Sequence, residues 1–289
     1  MTTPTSPTSP TSPPGTELLD TAVAAARVGG AVLVEGLQRP KQVALKSERT
    51  SIVTWADVTA QAAIVEVITE RFPDHAVLGE EGHGGASEGA VTWLVDPLDG
   101  TSNYAHGIPF ACTSVAVRDA DGLAAGAIFD PFRHELFTAV RGGGAWLGEQ
   151  AGGERLAVSA AETPGQSLVC TGIQSDDPDQ IAAFGRRIVA LTRHCRAVRC
   201  VGSPALCLAY VAAGRIDAFV ERDATYAWDV GAGALMITEA GGRAEDLDGG
   251  PVNLGPGVAN VLASNGTIHA ALGDIVHTAE RGGKGESRD

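Results

Sequence analysis

Asp96 and Asp99 lie three positions apart at the end of an apolar run, and their side chains could together bind a cation. Asp is depleted in strands and Pro97 cannot donate to a sheet ladder, so the strand formed by Val91–Val95 is predicted to end at Asp96. Gly100 then permits a tight turn that brings the two carboxylates to one point. Hard cations such as Mg²⁺ prefer carboxylate and carbonyl oxygens. An ordinary strand-ending turn of Asp, Pro and Gly explains the same residues.

Two acidic residues earlier in the chain, Asp57 and Glu80, could belong to the same site. Asp57 follows Thr54 by three positions at the predicted start of a helix, and this spacing also fits a capping box with an acid in the first turn. Glu80 follows a predicted strand at 76–79, shortly before the strand that ends at Asp96. Neighbouring strands that end together would place both acidic groups at one edge of the sheet. A solvated loop acid is the alternative for Glu80.

A second acidic motif, Trp228–Gly233, lies at the predicted start of a helix. Asp229 opens this helix, and the small residues that follow would allow close packing against a neighbouring element. As an N-cap or first-turn acid, Asp229 has a structural explanation that needs no function. An aromatic residue directly before it, with a run of tiny residues after it, is a less common combination.

Hydrophobic periodicity divides the chain into two halves of different type. Helices are predicted at 16–40 and 54–72, followed by meander strands at 112–117, 124–129, 136–140 and 145–147. Further on, strands near 168–171, 197–201, 217–220 and 258–263 alternate with helices near 178–193, 204–213, 229–240 and 266–276. These patterns predict a mostly antiparallel α+β half at 16–150 and an α/β half at 151–279. The Thr/Ser/Pro-rich segment 1–15 is predicted to be a disordered tail, and the charged segment 280–289 a frayed one.

The composition limits the classes of partner. The 289 residues contain 21 Lys and Arg against 35 Asp and Glu, and the net charge of −14 argues against nucleic acid or an anionic membrane as a partner. No run approaches the ~18 apolar residues of a membrane span, and no signal-peptide pattern opens the chain, so a cytoplasmic location is expected. The five cysteines are predicted to be buried free thiols rather than zinc ligands at His194, Cys195 and Cys200.

The segments Trp93–His106 and Trp228–Gly233 resemble the two signatures of the inositol monophosphatase family, whose members are Mg²⁺-dependent and often lithium-sensitive phosphatases. The resemblance extends from about residue 16 to about residue 277 and includes the Lys46 loop, Val53–Asp57, Gly79–Glu81 and Gly202–Ala205. It implies a layered αβαβα sandwich of the inositol monophosphatase/fructose-1,6-bisphosphatase type. It also implies that the protein is a homodimer. The molecule that it binds would be a small phosphate monoester.

Carried over residue by residue, the resemblance implies a magnesium-dependent catalytic site. The metal ligands would be the carboxylates of Glu80, Asp96, Asp99 and Asp229 and the backbone carbonyl of Leu98. They would hold two or three Mg²⁺ ions, with Mn²⁺ as an alternative. Thr101, paired with Asp57, would orient and deprotonate the attacking water, and Glu80 would be the third catalytic residue. No covalent phosphoenzyme is required in this mechanism.

Electrostatics supports a cation site at these acids. Two unit charges about 4 Å apart repel by roughly 4 kcal/mol at an effective dielectric constant near 20. Four converging carboxylates would therefore cost well over ~10 kcal/mol if they were left bare. No nearby run of Arg or Lys could neutralise them, so divalent cations are the natural counterions. An oxygen-only ligand set favours Mg²⁺ or Mn²⁺ over zinc.

The resemblance also implies where the substrate would bind. The contacting residues would be Gly100, Thr101 and Ser102 at a helix start, together with Gly202, Ser203, Glu221, Arg222 and Asp229. Members of the family that select inositol place an acid seven positions before the Asp229 equivalent, but this chain has Arg222 there, between Glu221 and Asp223. A one-residue shift of the loop would restore an acid, Arg222 could bind a second phosphate, or it could be an exposed loop charge.

Several substrates and one non-catalytic role are therefore considered. Inositol-1-phosphate or a related sugar or polyol phosphate is the leading substrate. Histidinol phosphate, fructose-1,6-bisphosphate and 3′-phosphoadenosine nucleotides are the alternatives within the family. A non-catalytic homologue that acts through protein or RNA contacts is the competing hypothesis, although the net charge of −14 and the complete set of acids argue against it. A Ca²⁺-binding module is excluded because the chain has no repeated EF-hand loop.

Overall fold

The computed structural model describes residues 14–39, 43–45, 52–85 and 90–281. The predicted tail therefore lies outside the described residues up to position 13, as do the Lys46 loop at 46–51 and the final residues from 282 onward. None of the helices in the described part of the chain is long and apolar enough to cross a membrane.

The described residues form two large sheets and seven α-helices. The helices are α1 (Pro14–Gly36), α2 (Trp55–Arg71), α3 (Thr101–His106), α4 (Pro178–His194), α5 (Pro204–Ala212), α6 (Ala227–Glu239) and α7 (His269–Arg281). The strands of the first half are β1 (Ala44–Leu45), β2 (Ile52–Val53), β3 (Ala76–Gly79), β4 (Gly82–Gly85), β5 (Thr92–Asp99), β6 (Cys112–Asp119), β7 (Gly122–Asp130), β8 (Glu135–Val140), β9 (Gly144–Leu147) and β10 (Glu154–Arg155). The remaining strands are β11 (Leu168–Thr171), β12 (Ala197–Arg199), β13 (Ala218–Glu221), β14 (Arg243–Glu245) and β15 (Val261–Ser264).

The elements stack in five layers, which confirms the predicted αβαβα sandwich. The first sheet has the order β10-β9-β8-β7-β6-β5-β3-β4, and it is antiparallel except where β3 runs parallel to β5. The second sheet has the order β12-β11-β13-β15-β14 and mixes parallel with antiparallel pairs. Helices α1 and α2 cover the outer face of the first sheet, α5 and α6 lie between the sheets, and α4 and α7 cover the second sheet.

Strand β5 is apolar on both faces because both faces are covered. Trp93 and Val95 pack with the core under α1 and α2, whereas Leu94 points to the opposite side and packs with the core that contains α5 and α6. Side chains alternate between the faces of a strand, so a strand buried on both faces appears in the sequence as a continuous apolar run.

The end of β5 differs from the prediction. The strand continues to Asp99 rather than ending at Asp96, because a β-bulge interrupts the pairing in place of a turn. Asp96 pairs with Ser114 and Asp99 pairs with Cys112, so three steps along β5 oppose two along β6. In a regular strand, residues three apart point to opposite faces. The extra residue in β5 turns the side chains of Asp96 and Asp99 toward the same face of the sheet. Pro97 lies in this irregular stretch, where its missing N–H breaks no regular ladder hydrogen bond.

Helix α6 owes its position between the sheets to its small residues. A Cβ atom on Gly231 would lie 2.8 Å from Leu94 of the first sheet, and one on Gly233 would overlap Leu208 of α5. The backbone of α6 therefore approaches its neighbours more closely than a larger side chain would permit.

A substitution in α6 tests this packing. Gly233→Ala should lower the free energy of unfolding by about 1–3 kcal/mol, because overpacking outweighs the helix-propensity gain of about 1 kcal/mol. Gly185→Ala in α4 is the matched control, since its Cβ would meet nothing within 4 Å, and it should be neutral or stabilising. Urea denaturation of both variants measures the difference. Equal stability of the two variants would contradict the packing explanation.

Several element boundaries differ from the predicted ones. Helix α1 spans Pro14–Gly36, so it begins two residues before the predicted start at 16 and ends before the predicted end at 40. The first sheet extends to Arg155, beyond the expected boundary at 150. Helix α7 continues through Glu280, whose carboxylate is held by two arginines, so the described part of the predicted tail is helical there.

Candidate active site

Three aspartates from separate segments meet at the end of the first sheet. Asp96 and Asp99 come from β5 and Asp229 from the first turn of α6, and one carboxylate oxygen of each lies within 4.8 Å of the others. All three are buried, with exposed fractions of 1%, 4% and 8% respectively. The β-bulge and the start of α6 thus bring together the residues that the two sequence motifs contribute.

Asp99 is held by the start of α5. Its Oδ2 accepts hydrogen bonds from the Ser203 hydroxyl and, at 2.8 Å, from the backbone N–H of Ala205. Burial raises the pKa of Asp99 to about 7, although these donors oppose the shift. The carboxylate is therefore fixed by one oxygen, with the other left for the acidic cluster.

Asp96 and Asp229 are also anchored by backbone donors. The Leu98 N–H donates to Asp96 Oδ1 at 3.0 Å, and the Tyr226 N–H donates to Asp229 Oδ2 at 2.6 Å. Asp229 is the third residue of α6 and not its N-cap. Its side chain accepts the hydrogen bond from the backbone N–H of the N-cap residue, Tyr226. Burial and neighbouring carboxylates raise the pKa of both aspartates well above the usual range.

The cluster has the properties of a cation site. Besides burial, neighbouring carboxylates raise the pKa of both Asp96 and Asp229, so the cluster holds closely spaced negative charges that a bound cation would neutralise. No ion pair within the described ranges involves any of the three aspartates. Buried carboxylates without a basic partner fit a hard divalent cation with oxygen ligands.

Glu80 reaches the same edge of the sheet from the neighbouring strand. Strand β3 pairs in parallel with β5 through Gly79 and Val95, and the Glu80 N–H donates to the Val95 carbonyl at 3.1 Å. The half-buried Glu80 side chain lines the same cavity as Asp96, and its charge contributes to the raised pKa of Asp96. The predicted convergence of two strand ends is therefore present.

Asp57 serves as a helix cap and also contacts a site residue. Its Oδ2 accepts from the N–H and the hydroxyl of Thr54, at 2.7 and 2.6 Å, which completes the capping box. Its Oδ1 accepts from the Thr101 hydroxyl at 2.9 Å. That hydroxyl also lies 3.0 Å from the Leu98 carbonyl, which belongs to the bulged segment. The two explanations that the sequence left open are thus compatible, because each oxygen of Asp57 has a different partner.

The turn after Asp99 needs glycine. Gly100 has φ 93°, and a Cβ there would lie 2.9 Å from the Phe110 carbonyl. Helix α3 begins directly after it, and Asn103 in this helix donates to the carbonyls of Phe110 and Val201 at 2.8 and 2.6 Å. This amide joins α3 to the loop that carries Gly202 and Ser203, so both predicted substrate segments face one cavity.

The cavity beside these residues has a volume of about 560 Å³ and includes residues that the sequence did not single out. The Thr171 side chain, at the end of β11, is 2% exposed, and its hydroxyl has no hydrogen-bond partner among the residues that the structure describes. Thr171 lies opposite Val220 in the adjacent parallel strand. Its only signal in the sequence was its position at a strand end, and ordinary strands end in the same way.

Glu221, and not Arg222, faces the cavity. Glu221 is the last residue of β13 and is buried beside Gly172, and burial raises its pKa to about 7. Arg222 does not line the cavity, because its guanidinium binds Asp248 at 2.6 and 2.9 Å and lies 2.9 Å from Glu280. Successive residues leaving a strand point to opposite sides. Of the two neighbouring residues predicted to contact the substrate, Glu221 therefore lines the cavity and Arg222 does not.

Four of the five cysteines match the prediction of buried free thiols, namely Cys112, Cys170, Cys195 and Cys207. Cys200 is the exception, because it is exposed and lines the cavity. His106 also lies at the cavity wall, where its Nδ1 contacts the Ser102 carbonyl at 2.8 Å.

The buried acids make a specific prediction for stability as a function of pH. Asp99 and Glu221 have folded-state pKa values of about 7, raised from 3.8 and 4.5. Between about pH 4 and pH 7 the folded protein therefore binds more protons than the unfolded chain, and stability falls as pH rises. In EDTA, the midpoint of thermal unfolding should be lower at pH 8 than at pH 5. A midpoint that rises over this interval would contradict the assigned burial.

Comparisons with known proteins agree with this geometry. A model of the inositol monophosphatase family matches residues 15–281. The Nus factor SuhB of Haemophilus influenzae is 39% identical over 253 residues, which cover 86% of this chain and 91% of that protein. The inositol-1-monophosphatase of Synechocystis is 36% identical over 255 residues, which cover 88% of this chain and 86% of that protein. The structure of inositol monophosphatase from Anabaena has a TM-score of 0.77 at 34% identity, covering 91% of this chain and 96% of that one. This protein therefore belongs to the inositol monophosphatase family.

Proposed function

We propose that this protein hydrolyses a phosphate monoester of a polyol or sugar, with inositol-1-phosphate as the leading substrate, by direct attack of water. The observation that carries the proposal is the convergence of three buried aspartates, none of them in an ion pair with a described residue, in one cavity with the Thr101–Asp57 pair. Two of these aspartates lie in the motif that also contains Thr101, so one short segment of the chain would contribute both to cation binding and to activation of the attacking water.

The residues that would hold the cations are the four acids and one carbonyl. They are Glu80, Asp96, Asp99, Asp229 and the Leu98 oxygen. Bound Mg²⁺ or Mn²⁺ would lower the pKa of a coordinated water and stabilise negative charge on the leaving oxygen. In Asp96, Asp99 and Asp229, one carboxylate oxygen is already fixed by backbone or hydroxyl donors, so these three ligands need little reorganisation.

Thr101 and Asp57 are proposed to take the proton from the attacking water. The Thr101 hydroxyl has one hydrogen, and it can donate this hydrogen to Asp57 Oδ1 at 2.9 Å. Its lone pairs are then free to accept a hydrogen bond from water in the cavity. Burial raises the pKa of Asp57, which makes its carboxylate a better proton acceptor than an exposed one.

The cavity wall favours a hydroxylated leaving group. The carboxylates of Glu221 and Asp229 can accept hydrogen bonds from substrate hydroxyls, and the unpartnered Thr171 hydroxyl can donate one or accept one. The phosphate would bind at the N–H groups of Gly100 to Ser102. Among the described residues that line the cavity there is no Arg or Lys, and Arg222 is paired elsewhere. Within the described part of the chain, therefore, the cavity wall has no basic partner for the second phosphate of a bisphosphate.

A phosphate-release screen tests the proposed function. The purified full chain should release phosphate from inositol-1-phosphate or another polyol phosphate only when Mg²⁺ or Mn²⁺ is present. Fructose-1,6-bisphosphate and 3′-phosphoadenosine nucleotides should be poorer substrates, and histidinol phosphate is included for comparison. Undiminished release in excess EDTA would exclude the metal-dependent mechanism.

A second candidate role comes from the relatives that are named Nus factor SuhB. Such a role would use contacts with protein or RNA and would not need turnover. The charge of −14 disfavours RNA as a partner of this chain on its own. No release of phosphate from any compound in the screen, at saturating Mg²⁺, would favour this role over catalysis.

A further inference from the structure

One buried amide side chain on α2 fixes the turn that carries Glu80. Gln61 is 7% exposed; its Oε1 accepts from the Glu81 N–H at 3.0 Å, and its Nε2 donates to the Gly82 carbonyl at 2.7 Å. On the other side of the turn, the Glu80 N–H is bonded to the Val95 carbonyl. The backbone of Glu80 is therefore held by the sheet on one side and by a side chain on the other.

The fit around this amide is close. A Cβ atom on Gly79 would lie 2.6 Å from Gln61 Oε1 and 2.8 Å from its Nε2. Gly79 has no positive φ, so glycine is required there by the approach of the amide and not by the backbone conformation. A side chain without both a donor and an acceptor would leave one of these part-buried backbone groups without its side-chain partner.

Glu80 is more exposed than the other acids of the site. Asp96, Asp99 and Asp229 are buried, and each accepts a hydrogen bond from a backbone N–H. Glu80 is half-buried in the turn between β3 and β4. Gln61 lies four residues after Asp57, on the same face of α2. A single helix face therefore supports both the proposed base and the turn that carries the fourth acid.

We propose that Gln61 is a positioning residue that holds Glu80 in place for cation binding. This inference rests on the proposed function, in which Glu80 is a metal ligand. Gln61 does not line the cavity, so its effect passes through the backbone of the turn. Groups that orient metal ligands typically change metal affinity about 10–100-fold when they are removed.

Mn²⁺ binding to the purified full chain, measured by titration calorimetry and by the electron paramagnetic resonance signal of free Mn²⁺, tests the inference. Gln61→Met keeps the length of the side chain and removes both hydrogen bonds, and it should weaken Mn²⁺ binding about 10–100-fold. Gly79→Ala removes no polar group but displaces the amide, and it should weaken binding in the same direction. Thr69→Val on the same helix removes a hydroxyl that bonds only within α2, and it should bind Mn²⁺ normally.

Glu80→Gln separates this inference from the proposed function. If Glu80→Gln weakens Mn²⁺ binding but Gln61→Met and Gly79→Ala do not, the positioning role is wrong and the metal site stands. If Glu80→Gln binds as tightly as the natural protein, both the ligand assignment and the inference fall. Lower thermal stability of Gln61→Met with unchanged Mn²⁺ affinity would show a merely structural residue and overturn the proposal.

Discussion

Asp99→Asn is expected to abolish turnover while the fold is retained. Asparagine can still accept hydrogen bonds from Ser203 and Ala205 through its carbonyl oxygen, so the contact between β5 and α5 survives. The variant loses one negative charge from the cation site. Since such sites contribute several kcal/mol to transition-state stabilisation, kcat/KM should fall by at least about 10³-fold. Phosphate release under saturating Mg²⁺ measures the effect, and near-normal kinetics would remove Asp99 from the site.

The same variant should behave in the opposite way when stability is measured without metal. Burial raises the pKa of Asp99 from 3.8 to about 7, so its ionisation at pH 8 opposes folding by up to about 4 kcal/mol. In EDTA at pH 8, Asp99→Asn should therefore be more stable than the natural protein, although it is the less active one. Asp179→Asn on the exposed surface of α4 is the control, and it should change stability by less than about 0.5 kcal/mol. Lower stability of Asp99→Asn in EDTA would indicate a structural role for the carboxylate.

The acids that converge at the site could be predicted because each one marks the end of a strand or the start of a helix. Glu80 follows β3 and Asp57 lies in the first turn of α2, and these positions can be recognised in a sequence without coordinates. Glu80 lies near Asp96 because β3 pairs in parallel with β5, which brings the ends of these two strands to one edge of the sheet. Local patterns with one pairing rule were therefore enough to bring Glu80 and Asp96 together, whereas the family resemblance was needed to add Asp57 and Asp229 to the same site.

The end of β5 was mispredicted because a turn and a bulge share the same residue types. Proline and glycine break a regular ladder in either case. Only the register between β5 and β6 distinguishes the two outcomes, and register depends on the partner strand. Arg222 illustrates the same limit: the sequence named both Glu221 and Arg222 and allowed a one-residue shift of the loop, and only the orientation of the side chains that leave β13 selects Glu221.

Thr171 and Gln61 could not be found from the sequence, because neither belongs to a pattern. Thr171 stands out only because its buried hydroxyl has no partner, and Gln61 only because its amide bridges two backbone groups of a distant turn. Both observations are properties of the surroundings rather than of the residues. The sequence motifs thus predicted the acids that converge in the cavity, whereas the supporting contacts required the structure.

Thr101→Val is expected to separate catalysis from metal binding. Valine has nearly the shape of threonine but cannot relay a proton to Asp57, so kcat should fall about 10²–10⁴-fold. Mn²⁺ affinity should stay within a few-fold of the natural value, because the side chain of Thr101 is not among the proposed ligands. Thr101→Ser keeps the hydroxyl and should retain most of the activity.

Asp57→Asn should cause a loss of kcat similar to that of Thr101→Val. The double variant Asp57→Asn/Thr101→Val should be little worse than either single variant, because the two residues act as a unit. Losses that multiply in the double variant would mean that Thr101 and Asp57 act on separate steps.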